Sequence, residues 1–215
     1  MKTILLIGVG RFGRHIAQQL SAMGHQVMAV DRDEERVNEI MPYVTGAQIG
    51  DSTNANFLRS LGARNYDICI VAISGDFESS LITTSMLKEL GARCVIARAE
   101  RDLQERFLLR NGADHVIYPE KEMAKWAAMR YTCDNIHEYM ELDDDHAIIE
   151  VEVPESWAGK TIGDLDLRKQ FGINVLGIRE GGKMGYTVLP DTVITKEMTI
   201  LVIGEYRVLR RCFRL

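Results

Sequence analysis

Three glycines near the start of the sequence have the spacing of a phosphate-binding loop. Gly8, Gly10 and Gly13 form the pattern GxGxxG between the apolar run Ile4–Ile7 and the amphipathic stretch Arg14–Met23. The first glycine of this pattern permits a tight turn, the second lets the backbone approach a pyrophosphate, and the third lets a helix pack closely on a strand. Backbone N–H groups at such a helix start attract anions. The segment is therefore predicted to bind the phosphates of a nucleotide.

Charged residues close to this loop narrow the choice of ligand. Asp31 ends the second predicted strand, 18 residues beyond Gly13, where a carboxylate can accept hydrogen bonds from both ribose hydroxyls. Arg32 could reach a 2′-phosphate, but the carboxylate beside it would repel that phosphate, so NADP is disfavoured. Arg11 either folds over a di- or triphosphate or is a solvent-exposed loop arginine. NAD, ATP, ADP and AMP remain as candidate ligands.

Two more strand ends are predicted to border the same cleft, because ligands of such sheets bind at the carboxyl ends of the strands. The third strand is followed by Asp51 and Ser52, and the fourth ends at Ile73, Ser74 and Gly75. Asp51 is also a good helix N-cap. Its sequence position therefore leaves two roles open, ligand contact and helix capping.

The pattern from Met1 to about Cys133 alternates short β-branched runs with longer amphipathic stretches. Continuous apolar runs of this kind are typical of a parallel sheet covered on both faces. The predicted strands are Ile4–Ile7, Val27–Val30, Ala47–Ile49, Ile68–Ile73, Cys94–Ala97 and Val116–Tyr118. The predicted helices are Arg14–Met23, Glu34–Met41, Asn54–Leu61, Phe77–Leu90, Leu103–Asn111 and Glu120–Tyr131. These units predict an α/β fold with a doubly wound, Rossmann-like parallel sheet.

An acidic stretch from Glu138 to Glu155, which contains no Lys or Arg, marks the predicted domain boundary and is expected to be mostly a solvated loop. The predicted domains are a nucleotide-binding domain, 1–137, and a small α+β domain, 138–215. A domain this small needs a partner surface or a dimer interface to be stable. Its predicted elements are the strands Ala147–Val153, Asn174–Arg179, Met184–Val188 and Thr199–Ile203, the helix Leu165–Phe171 and a helical tail.

Composition and cysteine usage exclude several classes of protein. The 215 residues, 46% hydrophobic and 27% charged, are typical of a globular protein, and a formal net charge of −5 argues against nucleic-acid binding. The four cysteines form no CxxC pair and are expected to be buried thiols in a reducing compartment. No apolar stretch suits a signal peptide or a membrane span, which predicts a cytoplasmic protein without membrane insertion. No His, Lys or Tyr constellation suits proton transfer, so no catalytic residue is predicted.

The sequence resembles the cytoplasmic regulatory subunits of Ktr/Trk-type potassium uptake systems, which contain an RCK N-domain and an RCK C-domain. The resemblance covers essentially the whole chain. It rests on four stretches, ILLIGVGRFGRHIAQQLSAMGHQVMAVDRDEERV, LGARNYDICIVAIS, NGADHVIYPEKEMA and TIGDLDLRKQFGINVLGIREGG. The first is common among nucleotide-binding folds, whereas the four together are specific.

The resemblance implies roles for individual residues of the first domain. Arg11 would face the nucleotide phosphates, Asp31 the ribose and Asp51 the adenine. Glu120 would lie near the phosphates at a dimer interface, where it could hold a divalent cation or sodium; Pro119 followed by acids is also ordinary helix-start chemistry. The implied ligand-binding set is Gly8, Gly10, Arg11, Phe12, Gly13, Asp31, Arg32, Asp51, Ser52, Ile73, Ser74, Gly75, Arg98, Ala99, Glu100 and Glu120.

The second domain of Ktr-type members is similar to a receptor for cyclic di-AMP held between two symmetry-related copies. The matching stretch is Thr161–Ile178, and the residues expected to bind the messenger are Ile162, Arg168, Ile173 and Asn174. Gly163 stands where several relatives have a bulkier apolar residue. The alternative is an ordinary dimer surface.

The function implied by the resemblance is that of a non-enzymatic gating subunit. Homodimers would assemble into a ring, an octamer, at the inner face of the membrane beneath a potassium-translocating membrane subunit. ATP, ADP and NAD or NADH would stabilise different dimer angles. The alternatives are an NAD-dependent oxidoreductase that uses the same cleft, and a sensor that serves another cation transporter.

Overall fold

A computed structural model describes residues 1–214 and divides the chain into two compact units. The first unit is Met1–Lys121 and the second begins at Glu122. The division falls inside one helix, Pro119–Thr132, and the boundary predicted from the acidic stretch, between residues 137 and 138, stays a prediction. Among the described residues, no helix combines the length and the apolar character needed to cross a membrane.

The first unit is built on six parallel strands with helices between them. The strands are β1 (Thr3–Ile7), β2 (Gln26–Asp31), β3 (Gly46–Ile49), β4 (Ile68–Val71), β5 (Val95–Arg98) and β6 (His115–Ile117). The helices are α1 (Arg11–Ala22), α2 (Glu34–Ile40), α3 (Ala55–Ser60), α4 (Phe77–Glu89), α5 (Asp102–Arg110) and α6 (Pro119–Thr132). The strand order is β3-β2-β1-β4-β5-β6, which confirms the predicted doubly wound, Rossmann-like fold.

The central strand β1 explains why this sheet forms. Leu5 and Ile7 pack into the core on one face of the sheet, and Ile4 and Leu6 pack into the core on the other. All four side chains are essentially inaccessible to solvent. The chain passes from β1 to β2 and β3 on one side and then crosses to β4 on the other. The crevice between the ends of β1 and β4 is therefore the topological switch point, where ligands of such sheets bind.

The second unit contains a five-stranded sheet, and its pairing is antiparallel throughout. Its strand order is β10-β9-β11-β8-β7. The elements are the strands β7 (Ile136–Glu141), β8 (His146–Glu152), β9 (Asn174–Glu180), β10 (Lys183–Gly185) and β11 (Thr199–Glu205) and the helices α7 (Ile162–Leu165), α8 (Leu167–Phe171) and α9 (Tyr206–Phe213). The predicted small α+β fold is confirmed.

The expectation that the acidic stretch is mostly loop is wrong. Its first part belongs to β7, which pairs with β8 and buries Ile136 and Tyr139 while its glutamates face outward. The charge pattern concealed this strand, because alternation of buried apolar and exposed acidic residues gives the same composition as a solvated loop. Only the short connection at residues 142–145 and the last three residues, 153–155, lie outside the two strands.

Two further expectations for this unit need correction. The single helix predicted at Leu165–Phe171 is split into α7 and α8, because Asp166 between them has a φ of 39°, in the left-handed region. Regular helix cannot pass through that conformation. The strand predicted at Met184–Val188 begins one residue earlier and ends at Gly185.

A buried carboxylate stabilises the second sheet. Glu150 on β8 is 2% exposed, and Arg179 on β9 donates to its two oxygens at 2.7 and 2.8 Å. The hydroxyl of Thr199, on the intervening strand β11, donates to the same carboxylate. These hydrogen bonds, that of Arg179 first, hold the pKa of Glu150 below its ordinary value. The ionised form of Glu150 therefore stabilises the folded state.

We predict that Glu150→Gln lowers the free energy of unfolding at neutral pH by about 1–3 kcal/mol, because a charged, paired hydrogen-bond acceptor is lost. Since the folded-state pKa of Glu150 is depressed, its contribution is present above the ordinary glutamate value of 4.5 and declines as the pH falls below it. Urea unfolding at pH 7 and pH 4 measures both effects. Glu138→Gln, which removes an exposed acid directly opposite Glu150 on β7, is the control. Equal stability of Glu150→Gln and the native protein at pH 7 would contradict the prediction.

Candidate functional site

A cleft opens at the carboxyl ends of β1, β2, β3 and β4, at the switch point of the first sheet. The residues predicted from the sequence that line it are Gly8, Gly10, Asp31, Arg32, Asp51, Ser52, Ile73 and Ser74. Three polar residues that sequence reasoning missed also line it, namely Arg36, Asp76 and Ser79. The strand-end rule could have found Asp76, since it lies in the loop after β4 and caps the next helix. Arg36 lacks such a signal, because exposed arginines in a first helical turn are common.

The turn between β1 and α1 requires two of its glycines for steric reasons. Gly8 has a φ of 92°, and a side chain there would lie 2.9 Å from the backbone of Ala72. A Cβ on Gly13 would lie 2.0 Å from the carbonyl oxygen of Gly8. At Gly10, by contrast, the nearest atom to an added Cβ is the hydroxyl of Ser74 at 3.9 Å. The fold therefore needs Gly8 and Gly13, whereas Gly10 leaves open space beside the cleft.

Asp31 joins the glycine loop to the end of β2. Its side chain is 7% exposed, and its two oxygens accept hydrogen bonds from the backbone N–H of Val9 at 2.8 Å and of Asp33 at 3.0 Å. Arg36 approaches the same carboxylate at 3.8 Å. Each carboxylate oxygen can accept a second hydrogen bond. Asp31 thus has a structural role that the sequence did not predict, while its predicted contact with ribose stays a prediction.

The loop after β3 is fixed by two sets of hydrogen bonds. Asp51 accepts from the backbone N–H of Thr53 at 2.9 Å and from its hydroxyl at 2.7 Å, and these bonds lower the pKa of Asp51. The N-cap of α3 is Asn54, so the capping alternative for Asp51 is wrong. Ser52 is buried and shares a hydrogen bond of 2.8 Å with Thr83 of α4. Asp51 therefore keeps an ionised carboxylate at the edge of the cleft.

An ion pair connects the two sides of the cleft. Arg32, after β2, lies 3.6 Å from the carboxylate of Asp76, before α4. Asp76 also accepts a hydrogen bond of 3.0 Å from the backbone N–H of Ser79, which lowers the pKa of Asp76. This part of the cleft thus contains three carboxylates and two guanidinium groups. It offers acceptors that suit hydroxyl and exocyclic amino groups.

The remaining predicted ligand residues do not line this cleft; they are Arg11, Phe12, Gly13, Gly75, Arg98, Ala99, Glu100 and Glu120. Ala99 is fully buried in the core, so its side chain is not a ligand contact. Arg11 is exposed at the first position of α1. Gly75 donates its backbone N–H to Glu100 at 3.3 Å.

Four of these residues form a separate group, which we term the Arg98 cluster: Phe12, Arg98, Glu100 and Glu120. The guanidinium of Arg98 donates to Glu120, lies 3.6 Å from Glu100, and has its central carbon 5.5 Å from the centroid of the Phe12 ring. Within residues 1–214, no three His, Cys, Asp or Glu side chains gather in a way that suits a metal ion. The predicted cation at Glu120 stays a prediction.

In the second unit, the four residues predicted for the messenger line one depression. Ile162, Arg168, Ile173 and Asn174 surround a cavity of about 250 Å³. Ile173 is 1% exposed and contributes mainly to the core. A side chain on Gly163 would lie 2.9 Å from the carbonyl oxygen of Pro190, so the space that a bulkier residue would fill is already taken.

Comparison with known proteins gives close matches over nearly the whole chain. Residues 4–119 match the model of the TrkA-N domain, and residues 147–214 match that of the TrkA-C domain. The Ktr system potassium uptake protein C of Bacillus subtilis (strain 168) is 41% identical over 204 residues, which are 95% of this chain and 92% of that protein. The Ktr system potassium uptake protein A of the same organism is 35% identical over 98% of this chain and 95% of that protein.

Solved structures support the fold. A structure described as the GsuK channel bound to NAD has a TM-score of 0.69 and 21% identity, over 97% of this chain and 38% of that one. The GsuK RCK domain has the same TM-score and identity, over 100% of this chain and 47% of that one. This chain thus spans less than half of either of those chains, and at this identity the likeness concerns the fold alone.

We predict that Gly13→Ala lowers the free energy of unfolding by about 1–3 kcal/mol, because the added methyl group forces α1 away from Gly8. Gly10→Ala, in which the new methyl group meets no close atom, should lower stability by less, because only the N-cap preference of glycine over alanine is lost. Thermal and urea unfolding of the two variants beside the native protein measure the difference. Equal destabilisation of both variants would show that the close approach at Gly13 does not hold α1 in place.

Proposed function

The chain belongs to the family of proteins in which a TrkA-N domain precedes a TrkA-C domain, and we propose that it is a regulatory subunit of a potassium uptake system. The observation that carries the proposal is an intact cleft at the switch point of the sheet in a chain whose Ktr relatives match it over almost their full length. Regulation, in this proposal, consists of binding a nucleotide in the cleft and passing the resulting change to a membrane partner.

The ligand that the cleft fits best is an adenosine nucleotide, either ATP and ADP or NAD and NADH. Asp31 is placed at the end of β2, where it can accept from ribose hydroxyls in addition to its two backbone donors. The ionised carboxylate of Asp51 suits the exocyclic amino group of adenine. The open space at Gly10 lets phosphates approach the first N–H groups of α1.

Different nucleotides would favour different arrangements of two copies, since only a ligand with unequal affinity for two states shifts their populations. Arg11 is exposed at the start of α1 and, within the described residues, forms no ion pair, so it is free to reach a terminal phosphate. In this proposal ATP brings its third phosphate to Arg11 and a divalent cation or sodium to Glu120. ADP and NAD or NADH lack that contact.

The partners in this proposal are further copies of the chain and a potassium-translocating membrane subunit. Helix α5 exposes large apolar side chains, among them Leu103, Phe107 and Leu109, which are 60%, 42% and 46% exposed. A group of this kind on one helix is typical of an interface. We propose homodimers that assemble into an octameric ring at the cytoplasmic face of the membrane, with domain 1–137 binding the nucleotide and the small α+β domain, 138–215, following it.

The NAD-dependent oxidoreductase alternative is not favoured, although oxidoreductases share this nucleotide-binding fold. In the part of the chain that the structure describes, the cleft lining contains no His, Lys or Tyr that could transfer a proton. The other alternative, a sensor that serves another cation transporter, differs from our proposal only in the membrane protein to which the chain binds. Identification of the membrane protein that co-purifies with this chain distinguishes the two.

A second proposed ligand is cyclic di-AMP, bound in the second unit between two copies. The observation that favours it is the depression shared by Ile162, Arg168, Ile173 and Asn174. Arg168 supplies a cation for a phosphate, and the apolar side chains can flank a base.

We predict that the purified protein binds at least one of ATP, ADP and NADH, and that Gly10→Asp weakens the binding at least tenfold. The new carboxylate would fill the open space and repel the phosphates. Titration calorimetry measures the affinities. Asn38→Asp, which adds the same charge to an exposed position of α2, is the control. Failure of the native protein to bind any of the three nucleotides would refute the proposal.

We predict that cyclic di-AMP binds the native protein and that Arg168→Ala lowers its affinity about tenfold or more, as expected for loss of one charge-assisted hydrogen bond. Lys169→Ala removes an equal charge from the next position, whose side chain is 83% exposed, and should change the affinity little. The measurement is titration of the dimeric protein with the dinucleotide. Equal effects of the two variants would argue for a non-specific electrostatic contribution instead of a site at Arg168.

A further inference from the structure

The Arg98 cluster contains a guanidinium that is largely buried but not fully satisfied. The side chain of Arg98, at the carboxyl end of β5, is only 11% exposed. Its ion-pair partners are Glu120, at the start of α6, and Glu100. Its Nε is buried and has no hydrogen-bond partner among the described residues. Arg98 therefore keeps an unused donor in a place that water does not reach.

The position of this cluster relates it to the nucleotide cleft. The guanidinium of Arg98 lies over the ring of Phe12, which is the second residue of α1. The first N–H groups of that helix have no partners within the helix and attract anions. In the proposed binding mode Asp31 and Asp51 contact the nucleoside, so a nucleotide bound in the cleft directs its phosphates toward the start of α1. Arg98 is thus a largely buried cation in contact with the first turn of α1.

The charges of the cluster determine how it responds to more phosphates. One guanidinium and two carboxylates give the cluster a net negative charge. A second or third phosphate would meet this negative charge as long as Arg98 remains paired with Glu120. If the guanidinium instead donates to the phosphate, which it can bind in bidentate fashion, an attraction replaces the repulsion. Glu120 is 59% exposed, so water can solvate its carboxylate once Arg98 has turned away.

We propose that Arg98 distinguishes nucleotides by the number of their phosphates. With a nucleoside monophosphate it stays paired with Glu120, and with a di- or triphosphate it exchanges Glu120 for the distal phosphates. The inference rests on the proposed nucleotide-binding function and adds to it the residue that sets phosphate-number specificity. Glu120 acts in it as the competing internal anion.

The opposing explanation is that Arg98 only clamps the start of α6 to the end of β5. A clamp predicts that loss of either partner lowers stability and changes the affinity for all nucleotides alike. The exchange predicts that the two losses change the affinity for ATP in opposite directions. Loss of Arg98 weakens the binding of ATP, whereas loss of the Glu120 charge strengthens it, and neither affects AMP.

Titration calorimetry of the full chain with AMP, ADP and ATP tests the proposal. EDTA is included so that no divalent cation on Glu120 contributes. We expect Arg98→Gln to weaken ATP binding about ten- to a hundredfold, the value of one charge-assisted hydrogen bond, with AMP affinity within twofold of the native value. Glu120→Gln should strengthen ATP binding by a few fold. Arg98→Lys, which keeps the charge, should restore part of the ATP affinity.

Matched controls are available on neighbouring helices. Arg106→Gln on α5 and Glu122→Gln on α6 make the same charge changes at exposed positions that form no ion pair among the described residues, and should leave all three affinities unchanged. Melting temperatures show whether each variant folds, and Glu120→Gln alters only a largely exposed side chain.

The possible outcomes separate the two proposals. If the native protein binds AMP and ATP but Arg98→Gln alters both affinities equally, or Glu120→Gln weakens ATP binding, the role of Arg98 is overturned while the nucleotide-binding function stands. If the native protein binds none of AMP, ADP and ATP, the role of Arg98 is overturned, and if it also fails to bind NADH, the proposed function is overturned as well. Opposite effects of the two variants on ATP, with AMP unchanged, support the exchange.

Discussion

The carboxylate of Asp31 supplies the interaction on which the rest of the cleft depends. It accepts from the backbone of Val9, in the loop after β1, and from Asp33, in the loop after β2. Since these loops follow neighbouring parallel strands, one buried side chain fixes the distance between them. The close contacts at Gly8 and Gly13 then set the height at which α1 begins above the sheet. Any ligand in the crevice meets walls whose positions those few atoms determine.

In the proposed function, the cleft and the Arg98 cluster are two chemically different parts of one nucleotide site. The nucleoside end is rich in hydrogen-bond acceptors held in place by backbone N–H groups and hydroxyls, as at Asp51 and Asp76. The other end has the first N–H groups of α1, the exposed Arg11 and the largely buried Arg98, whose Nε has no hydrogen-bond partner among the described residues. The first part suits groups that every adenosine nucleotide shares. In our proposal the second part responds to charge, which is the property in which ATP, ADP and AMP differ.

Much of the first unit follows from its sequence, because local signals and long-range packing agree there. The apolar run at Ile4–Ile7 and the glycines that follow it specify both a strand and its turn, and the structure has both. Side-chain pairing across the cleft did not follow, since nothing in the sequence shows that Arg32 meets Asp76 or that Ser52 meets Thr83. In the second unit, charge concealed a strand at β7, and a left-handed Asp166 divided a helix whose pattern looked continuous.

The hydroxyl contact between Ser52 and Thr83 has an evolutionary consequence. The two residues are 31 positions apart, and both are buried. Exchange of one hydroxyl for a methyl group leaves the other without a partner in a dry environment, which costs about 1–3 kcal/mol, whereas exchange of both together is nearly neutral. Descendants of this sequence are therefore constrained to keep both alcohols or to lose both, and the loop after β3 depends for its orientation on α4, a helix that is distant from it in the sequence.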